Sequence, residues 1–152
     1  MLTTQIESFG ERLEEFKPLF PLHWAELALN QDKVPLDPQY DIYLAREARG
    51  ELLFVTMRED GAPVGYFIGF IAPGLHYRTC LTCTMDIFYV HPRLRAQGLP
   101  GVRLFRAVEK ELRRRGVQRW FVGSKAHADA SALFERLDFE RVEIYYSKWI
   151  GG

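Results

Sequence analysis

The sequence has little cysteine and no excess of charge of either sign. Only two of its 152 residues are cysteines, and 20 basic side chains balance 20 acidic ones, so the formal net charge is zero. A protein that holds nucleic acid through bulk charge needs a basic excess, so nucleic acid is not an expected partner. The arginines at 113–115 are better explained as the solvated end of a helix, where cations complement the helix dipole.

The two cysteines, Cys80 and Cys83, have the CxxC spacing of many zinc and redox sites. A zinc site needs a second pair of ligands, and no second pair with ligand spacing is present. A redox pair is normally followed by a helix, whereas here a strand pattern follows. We therefore expect structural thiols and no metal.

Long apolar runs are also missing. No stretch reaches the roughly 18 consecutive apolar residues of a membrane-spanning helix, so we expect no membrane association. Residues 1–7 have neither the basic start nor the apolar core of a signal peptide. The sequence therefore predicts a cytoplasmic protein.

What is present is typical of a globular protein. Apolar residues make up 47% of the chain and charged residues 26%, and 152 residues predict a single domain over 1–152. Hydrophobic periodicity and turn residues predict the order of helices and strands. In chain order, the predicted elements are a short strand at 2–7, one or two helices over 9–29 broken near Pro18 and Pro21, a helix at 41–49, strands at 52–57, 64–72 and 79–90, a helix at 102–115, a strand at 118–123, a helix at 128–137 and a strand at 139–150.

This order predicts an α/β fold, with a mixed, mostly antiparallel sheet and a parallel strand-helix-strand crossover at its centre. The Asp60-Gly61 pair is typical of the turn in an antiparallel hairpin. A helix separates the strands at 79–90 and 118–123, which favours parallel pairing through a right-handed crossover. We therefore expect residues 84–90 to form an interior strand.

Residues 84–115 combine that strand with a loop that contains two glycines and an amphipathic helix. A helix N-terminus carries partial positive charge and free N–H groups, and glycines before it let a phosphate approach the backbone. Arg95 adds a planar cation that suits phosphate oxygens. The alternative is an ordinary strand-to-helix turn, in which glycine supplies only backbone freedom.

The run from Val90 to Gly98 resembles the acyl-CoA loop of the GNAT N-acetyltransferase superfamily. Arg95 and Gly98 match the first two fixed positions of that loop, whereas Pro100 stands at the last, where it offers no N–H. The resemblance implies the GNAT fold, with acetyl-CoA as the cofactor. The residues that it implies for cofactor binding are Phe88, Tyr89, Val90, Arg95, Ala96, Gln97, Gly98, Leu99, Gly101 and Val102.

The general base is predicted on the central strand. Asp86 is in phase with Phe88 and Val90, so regular alternation would place all three side chains on one face. Some GNAT enzymes carry an acid near this position, and we expect Asp86 to accept the amine proton. The alternative is a carboxylate that pairs with a neighbour and stabilises the fold.

The acid that protonates the leaving thiolate is harder to identify from the sequence than the base. The family commonly uses a tyrosine on the short helix after the fifth strand, but Phe134 occupies that position here. Tyr145 and Tyr146, on the predicted final strand, are the substitutes, and packing is the alternative role for both.

Polar and aromatic residues expected around the cleft are candidates for acceptor binding. They are Trp24, His76, Tyr77, Ser124 and His127. His23 is read instead as a surface or helix-packing histidine. The acceptor is expected to be a small-molecule or peptide amine, and a homodimer is left open.

These residues favour an acetyl-CoA-dependent N-acyltransferase that moves an acetyl group directly to a primary amine. One alternative is a non-catalytic CoA-binding or interaction module on the same fold, which the loss of the family tyrosine favours. Another is a phage enzyme that modifies a nucleobase amine. The runs 23–26 and 75–77 are similar to a GNAT subgroup often carried by bacteriophages and prophages.

Overall fold

A computed structural model describes residues 1–96 and 98–152 of the chain. Gln97, one of the predicted cofactor residues, lies outside the described residues. The described chain forms a five-stranded sheet with helices on both faces. In chain order the elements are β1 (Leu2–Ile6), α1 (Phe9–Phe16), α2 (Leu19–Leu27), α3 (Tyr40–Ala48), β2 (Leu52–Glu59), β3 (Ala62–Gly74), β4 (Tyr77–Val90), α4 (Pro92–Arg95), α5 (Leu99–Arg114), β5 (Arg119–Phe121) and α6 (Ser131–Arg136).

The sheet has the predicted mixed topology. The strands lie in the order β1-β2-β3-β4-β5, with antiparallel pairing throughout except between β4 and β5, which are parallel. The hairpin turn between β2 and β3 falls at Asp60 and Gly61, both with positive φ. The position of β4 inside the sheet and the parallel crossover through α5 are therefore confirmed, but of the residues 84–90 only Thr84 has a strand on both sides.

Each face of the sheet has its own apolar core. On one face α5 contributes Leu104, Phe105 and Val108, which are essentially inaccessible to solvent. On the other face the aromatic side chains of α1 and α2 pack on β2 and β3, for example Phe16 against Phe54 with ring centroids 5.2 Å apart. Burial of side chains of this size contributes about 1.5–3 kcal/mol each. The two cores together hold β4 between two helical layers.

The predicted break in the first helical region is found at Lys17 and Pro18, between α1 and α2. Pro21 lies inside the first turn of α2 and does not break it, because the N–H that proline lacks has no intrahelical partner there. The short helix α4, directly after β4, was not predicted from the sequence.

The predicted final strand at 139–150 is wrong. Residues 140–152 form neither helix nor strand and are exposed to solvent along their whole length. The segment has apolar and aromatic residues typical of a strand, among them Val142, Ile144 and Tyr146. Strand propensity alone does not create a strand, because the backbone also needs a paired edge and the side chains need a buried face.

Two further findings concern sites that the described residues do not contain. In residues 1–96 and 98–152, no group of three or more His, Cys, Asp or Glu side chains is arranged to hold a metal ion. No helix in the same residues is long and apolar enough to cross a membrane. Cys80 and Cys83 are free thiols, and Cys83 is buried in the core beneath α5.

Candidate active site

A β-bulge in β4 places Asp86 on the opposite face from the one predicted. Ile68 of β3 pairs with Ile87, but the next residue, Gly69, pairs with Met85, so Asp86 is an extra residue in the ladder. Both Asp86 and Ile87 consequently face the α1–α3 side. Phe88, predicted to share a face with Asp86, instead packs against Phe105 of α5 at 4.9 Å between ring centroids. The predicted phase is therefore wrong.

Asp86 is half-buried and has a specific partner, Tyr43 of α3, whose hydroxyl donates a hydrogen bond to Asp86 Oδ2. Burial raises the pKa of the Asp86 carboxyl, while the Tyr43 hydrogen bond and the charge of Arg46 oppose that rise. Burial and the neighbouring carboxylate also raise the pKa of Tyr43, so its proton stays on the phenol. The pair presents one carboxylate held in a fixed orientation.

Helix α3 is anchored by Glu47, which caps the N-terminus of α1. Its carboxylate accepts hydrogen bonds from the backbone N–H of Phe9, at 2.6 Å, and of Gly10, at 3.0 Å. A negative group is favourable there, because the first N–H groups of a helix have no intrahelical acceptor. Tyr43 also stacks on Phe9 at 5.2 Å. These contacts fix the position of Tyr43 over Asp86.

His23 is buried beside this pair and was not recognised from the sequence as part of the site. Its side chain lies in α2, with only 8% of the residue exposed, and Nδ1 is 2.8 Å from the hydroxyl of Tyr66. The ring lies 5.2 Å from that of Tyr89. Desolvation lowers the pKa of His23 to about 4, although the charge of Glu26 acts in the other direction. His23 is therefore a neutral hydrogen-bonding group at physiological pH.

This burial predicts a pH-dependent stability. Because the pKa of His23 is lowered to about 4 in the folded state from an ordinary value near 6.5, the unfolded chain binds the proton more tightly. We expect the melting temperature to fall as pH decreases from about 6.5 toward 4.5, and His23→Gln to reduce that slope. Thermal denaturation of both proteins across this range measures it. An unchanged slope would contradict the burial of a neutral histidine.

A cavity of about 400 Å³ opens above Asp86, between the sheet and the first three helices. Its walls come from α1, α2, the loop 28–38, α3 and the two central strands, and Lys125 reaches it from beyond β5. The lining residues are Phe9, Phe20, His23, Trp24, Leu27, Ala28, Leu29, Val34, Pro35, Leu36, Asp37, Pro38, Tyr40, Tyr43, Tyr66, Ile68, Asp86, Ile87 and Lys125.

Of the predicted acceptor residues, only Trp24 lines this cavity. His76 and Tyr77 are exposed at the β3–β4 turn. Ser124 bonds within its own loop, to Asp129 at 2.9 Å, and His127 Nε2 lies 2.9 Å from the backbone oxygen of Leu27. The fold thus brings Trp24 and Asp86 together and gives the other four different surroundings.

The predicted acid candidates lie on the exposed C-terminal segment. Tyr145 is 86% exposed and Tyr146 90% exposed, and neither lines the cavity. Phe134, which stands at the tyrosine position of the family pattern, is buried and packs against Phe88 and Phe105 at 6.0 and 5.5 Å. The phenylalanine is therefore part of the apolar core beneath α5.

The parallel strands β4 and β5 pair over a short distance only. Their register runs from Thr82–Arg119 to Thr84–Phe121, and β4 then continues to Val90. Within residues 1–96 and 98–152, no strand pairs with this edge of β4 beyond Thr84. Backbone groups of residues 85–90 on that edge, other than the Val90 oxygen that accepts a hydrogen bond from Arg95 Nε, are thus available to a ligand, as the resemblance implies for Phe88, Tyr89 and Val90.

Directly after this opening, the N-terminus of α5 supplies hydrogen-bond donors. Gly98 caps the helix with a φ of 68°, a conformation that glycine adopts without strain. The nearest atom to a Cβ built on Gly98 would be Nη1 of Arg136, 3.9 Å away. Leu99 and Gly101 carry first-turn amides without an intrahelical acceptor, whereas Pro100 has no N–H and the Val102 N–H is the first to bond within the helix. The loop therefore has both the space and the donors that a diphosphate requires.

Arg95 is bound to protein groups. Nε donates a hydrogen bond to the backbone oxygen of Val90 at 2.7 Å, and the guanidinium forms a bidentate ion pair with the carboxylate of Glu26 in α2. It also lies 5.5 Å above the ring of Tyr89. Arg95 thus links α2 to the end of β4, and Arg136 of α6 is the cation beside Gly98. Sequence reasoning had selected neither Glu26 nor Arg136.

Comparison with the sequence profiles of protein families identifies the family of this chain. The profile of the Acetyltransferase (GNAT) family matches residues 14–139. The chain belongs to the GNAT acetyltransferase family. No curated protein matches this GNAT domain significantly in sequence.

Solved structures share the GNAT fold over nearly the whole chain. A GCN5-related N-acetyltransferase from Ralstonia eutropha JMP134 has a TM-score of 0.77 at 18% identity, with 99% of this chain and 100% of that one covered. A ribosomal-protein-alanine N-acetyltransferase from Brucella melitensis biovar Abortus 2308 gives 0.72 at 17% identity, with 99% and 100% covered. A predicted acetyltransferase with acetyl-CoA from Clostridium acetobutylicum gives 0.66 at 13%, with 99% and 97% covered.

These identities show a common fold. The family assignment makes this GNAT domain an acetyltransferase. None of the three relatives is described as a phage protein, so the resemblance to a phage subgroup stays a prediction.

Proposed function

We propose that the protein is an acetyl-CoA-dependent N-acyltransferase that moves the acetyl group directly to a primary amine of a small-molecule acceptor. The observation that carries the proposal is the arrangement along β4. The bulge directs the Asp86 side chain into the cavity, and within four residues the same strand has an open edge beside the N-terminus of α5. A base and a cofactor cleft on one strand suit a direct transfer between two bound substrates.

The cofactor cleft is assigned to residues of β4 and α5. The amides of Leu99 and Gly101 would bind the diphosphate, with Arg136 as the neighbouring cation. Backbone groups of residues 88–90 would hold the pantetheine arm in the open edge of β4. Acetyl-CoA supplies the thioester carbon that the amine attacks. A backbone N–H in 88–90 would donate a hydrogen bond to the thioester oxygen as negative charge develops there.

Asp86 is assigned as the base. It accepts a proton from the acceptor ammonium, directly or through water, and leaves a neutral amine. A bond then forms between the amine nitrogen and the carbonyl carbon, the bond from that carbon to sulfur breaks, and the nitrogen loses its second proton, which the departing thiolate takes up. The ammonium thus gives one proton to Asp86 and one to the thiol. Tyr43 keeps the carboxylate oriented by its hydrogen bond. The proton that leaves the amine nitrogen can pass to the thiolate through water, while Tyr145 and Tyr146 stay predictions for that role.

The proposal predicts that thiol release from acetyl-CoA depends on a primary amine. Purified protein is incubated with acetyl-CoA and a panel of amines, with the free thiol followed by a chromogenic disulfide and the product by mass. We expect release with at least one primary amine and none with its N-acetylated counterpart. Release at one rate with and without amine would contradict the proposal.

Phe134 favours one alternative, a non-catalytic CoA-binding module, because it replaces the tyrosine of the family pattern. That alternative predicts that acetyl-CoA raises the melting temperature without any amine-dependent thiol release. The same two measurements therefore separate the enzyme from the binding module.

A further inference from the structure

We propose that the acceptor is an apolar monoamine, that is, one ammonium group on an aliphatic or aromatic body that carries no anionic group. This inference rests on the proposed function, and it names the substrate class of the same site. It comes from the chemistry of the cavity walls above Asp86.

The walls are overwhelmingly apolar. Aliphatic side chains from α2 and from the loop 28–38 face aromatic rings from α1, α2 and α3 across about 400 Å³, a volume within the usual range of small-molecule sites. Trp24 and Tyr40 provide flat surfaces, while Val34 and Leu36 close the side formed by the loop. Such walls stabilise a ligand by removing apolar surface from water and offer little to hydroxyl groups.

The polar groups at the floor are already paired with each other. Tyr43 donates its proton to Asp86, and the Tyr66 hydroxyl is 2.8 Å from His23 Nδ1. His23 is uncharged, since burial lowers its pKa to about 4. A sugar or aminoglycoside would need several hydrogen-bonding groups to replace the water it loses, and apart from the Asp86 carboxylate the paired groups of the floor do not supply them.

The charges of the lining are suited to one cation. Asp86 is the carboxylate at the floor, Asp37 is on the loop, and Lys125 adds a positive charge that opposes a second ammonium. Polyamines and aminoglycosides carry several ammonium groups and would leave most of them without a partner in apolar surroundings. A ligand with a single ammonium would pair that charge with Asp86 and pack its apolar body against Trp24.

The test is a series of acceptors with a matched pair of variants. Linear primary alkylamines of increasing length should show kcat/KM rising about fourfold for each added methylene until the cavity is full. Phenethylamine should be acetylated much faster than glucosamine, spermidine or kanamycin. Val34→Trp, which fills the cavity from the loop, should raise KM for phenethylamine at least tenfold and leave KM for acetyl-CoA unchanged. Val142→Trp, on the exposed C-terminal segment, should change neither.

The outcomes separate this inference from the proposed function. Preference for glucosamine, spermidine or kanamycin would overturn the apolar acceptor and keep the N-acyltransferase. Preference for phenylalanine over phenethylamine would also overturn it, because Lys125 would then bind a carboxylate. If no amine releases thiol, the proposed function fails, and binding is read from the melting temperature instead. Phenethylamine should then still stabilise the wild type more than Val34→Trp, and equal or absent stabilisation would overturn the acceptor class.

Discussion

Replacement of Asp86 by asparagine is expected to lower kcat by a factor of about 100 to 10,000, the usual range for loss of a general base. Asparagine keeps the shape of the side chain and still accepts the hydrogen bond from Tyr43, but it cannot take the amine proton. KM for acetyl-CoA should barely change, because Asp86 lies in the acceptor cavity. Steady-state kinetics with the best amine of the panel measures both quantities.

The pH profile gives this prediction a second readout. Burial raises the pKa of Asp86, so the active carboxylate forms at a higher pH than an ordinary aspartate would require. The wild-type rate should rise with pH through that raised pKa, and the Asp86→Asn variant should lose this rise. Asp138→Asn, an exposed aspartate whose left-handed backbone suits asparagine, is the matched control and should keep the wild-type rate and profile.

The stability of the same variant distinguishes a base from a structural carboxylate. Because its pKa is raised, Asp86 binds a proton more tightly in the folded state, so it lowers stability as pH increases above the ordinary carboxyl range. Asparagine removes that charge, and the melting temperature at neutral pH should be equal to or above that of the wild type. A variant that unfolds while keeping full activity per folded molecule would identify Asp86 as structural.

The second large effect concerns the glycine loop. Acetyl-CoA at about 100 times its dissociation constant should stabilise the wild type by about 2.7 kcal/mol, which corresponds to a rise of roughly 5–10 °C in melting temperature. Gly98→Glu should abolish the rise, because the new carboxylate would project from the helix N-terminus into the space assigned to the diphosphate. Differential scanning fluorimetry with and without acetyl-CoA measures the shift.

Gly116→Glu is the matched control for this change. Gly116 follows the other end of α5 with a φ of 80°, and no atom lies within 4 Å of a Cβ built on it. Both variants place glutamate in a left-handed conformation, so both should melt below the wild type without ligand. Only Gly98→Glu should lose the response to acetyl-CoA. If both respond as the wild type does, the loop is not the cofactor site.

Local sequence signals were sufficient to predict the centre of the fold. A hydrophobic strand, a glycine loop and an amphipathic helix determine a parallel crossover almost regardless of the rest of the chain, because the connection must return across one face of the sheet. The helix itself was predicted from the same segment, but its start at Leu99 lies three residues before the predicted residue 102, because Pro100 and Gly101 belong to the first turn. The Asp60-Gly61 turn likewise specifies its hairpin through two adjacent residues.

Contacts between distant residues were not predictable in this way. The partners of His23 and Asp86, which are Tyr66 and Tyr43, are each 43 positions away, and Glu26 and Arg95 are 69 apart. No pattern in the neighbouring sequence indicates that His23 is buried or that Arg95 forms an ion pair with Glu26. The bulge was missed because an extra residue in a strand is set by its pairing with the neighbouring strand, and the sequence of β4 alone carries no sign of that pairing.

The bulge leaves residue 86 outside the regular pairing of the sheet. Cys83 and Met85 face α5 before it, and Phe88 and Val90 face α5 after it. Deletion of residue 86 would leave a regular alternating strand, with every apolar side chain on its present face and Ile68 and Gly69 still opposite Ile87 and Met85. The fold therefore does not require this residue.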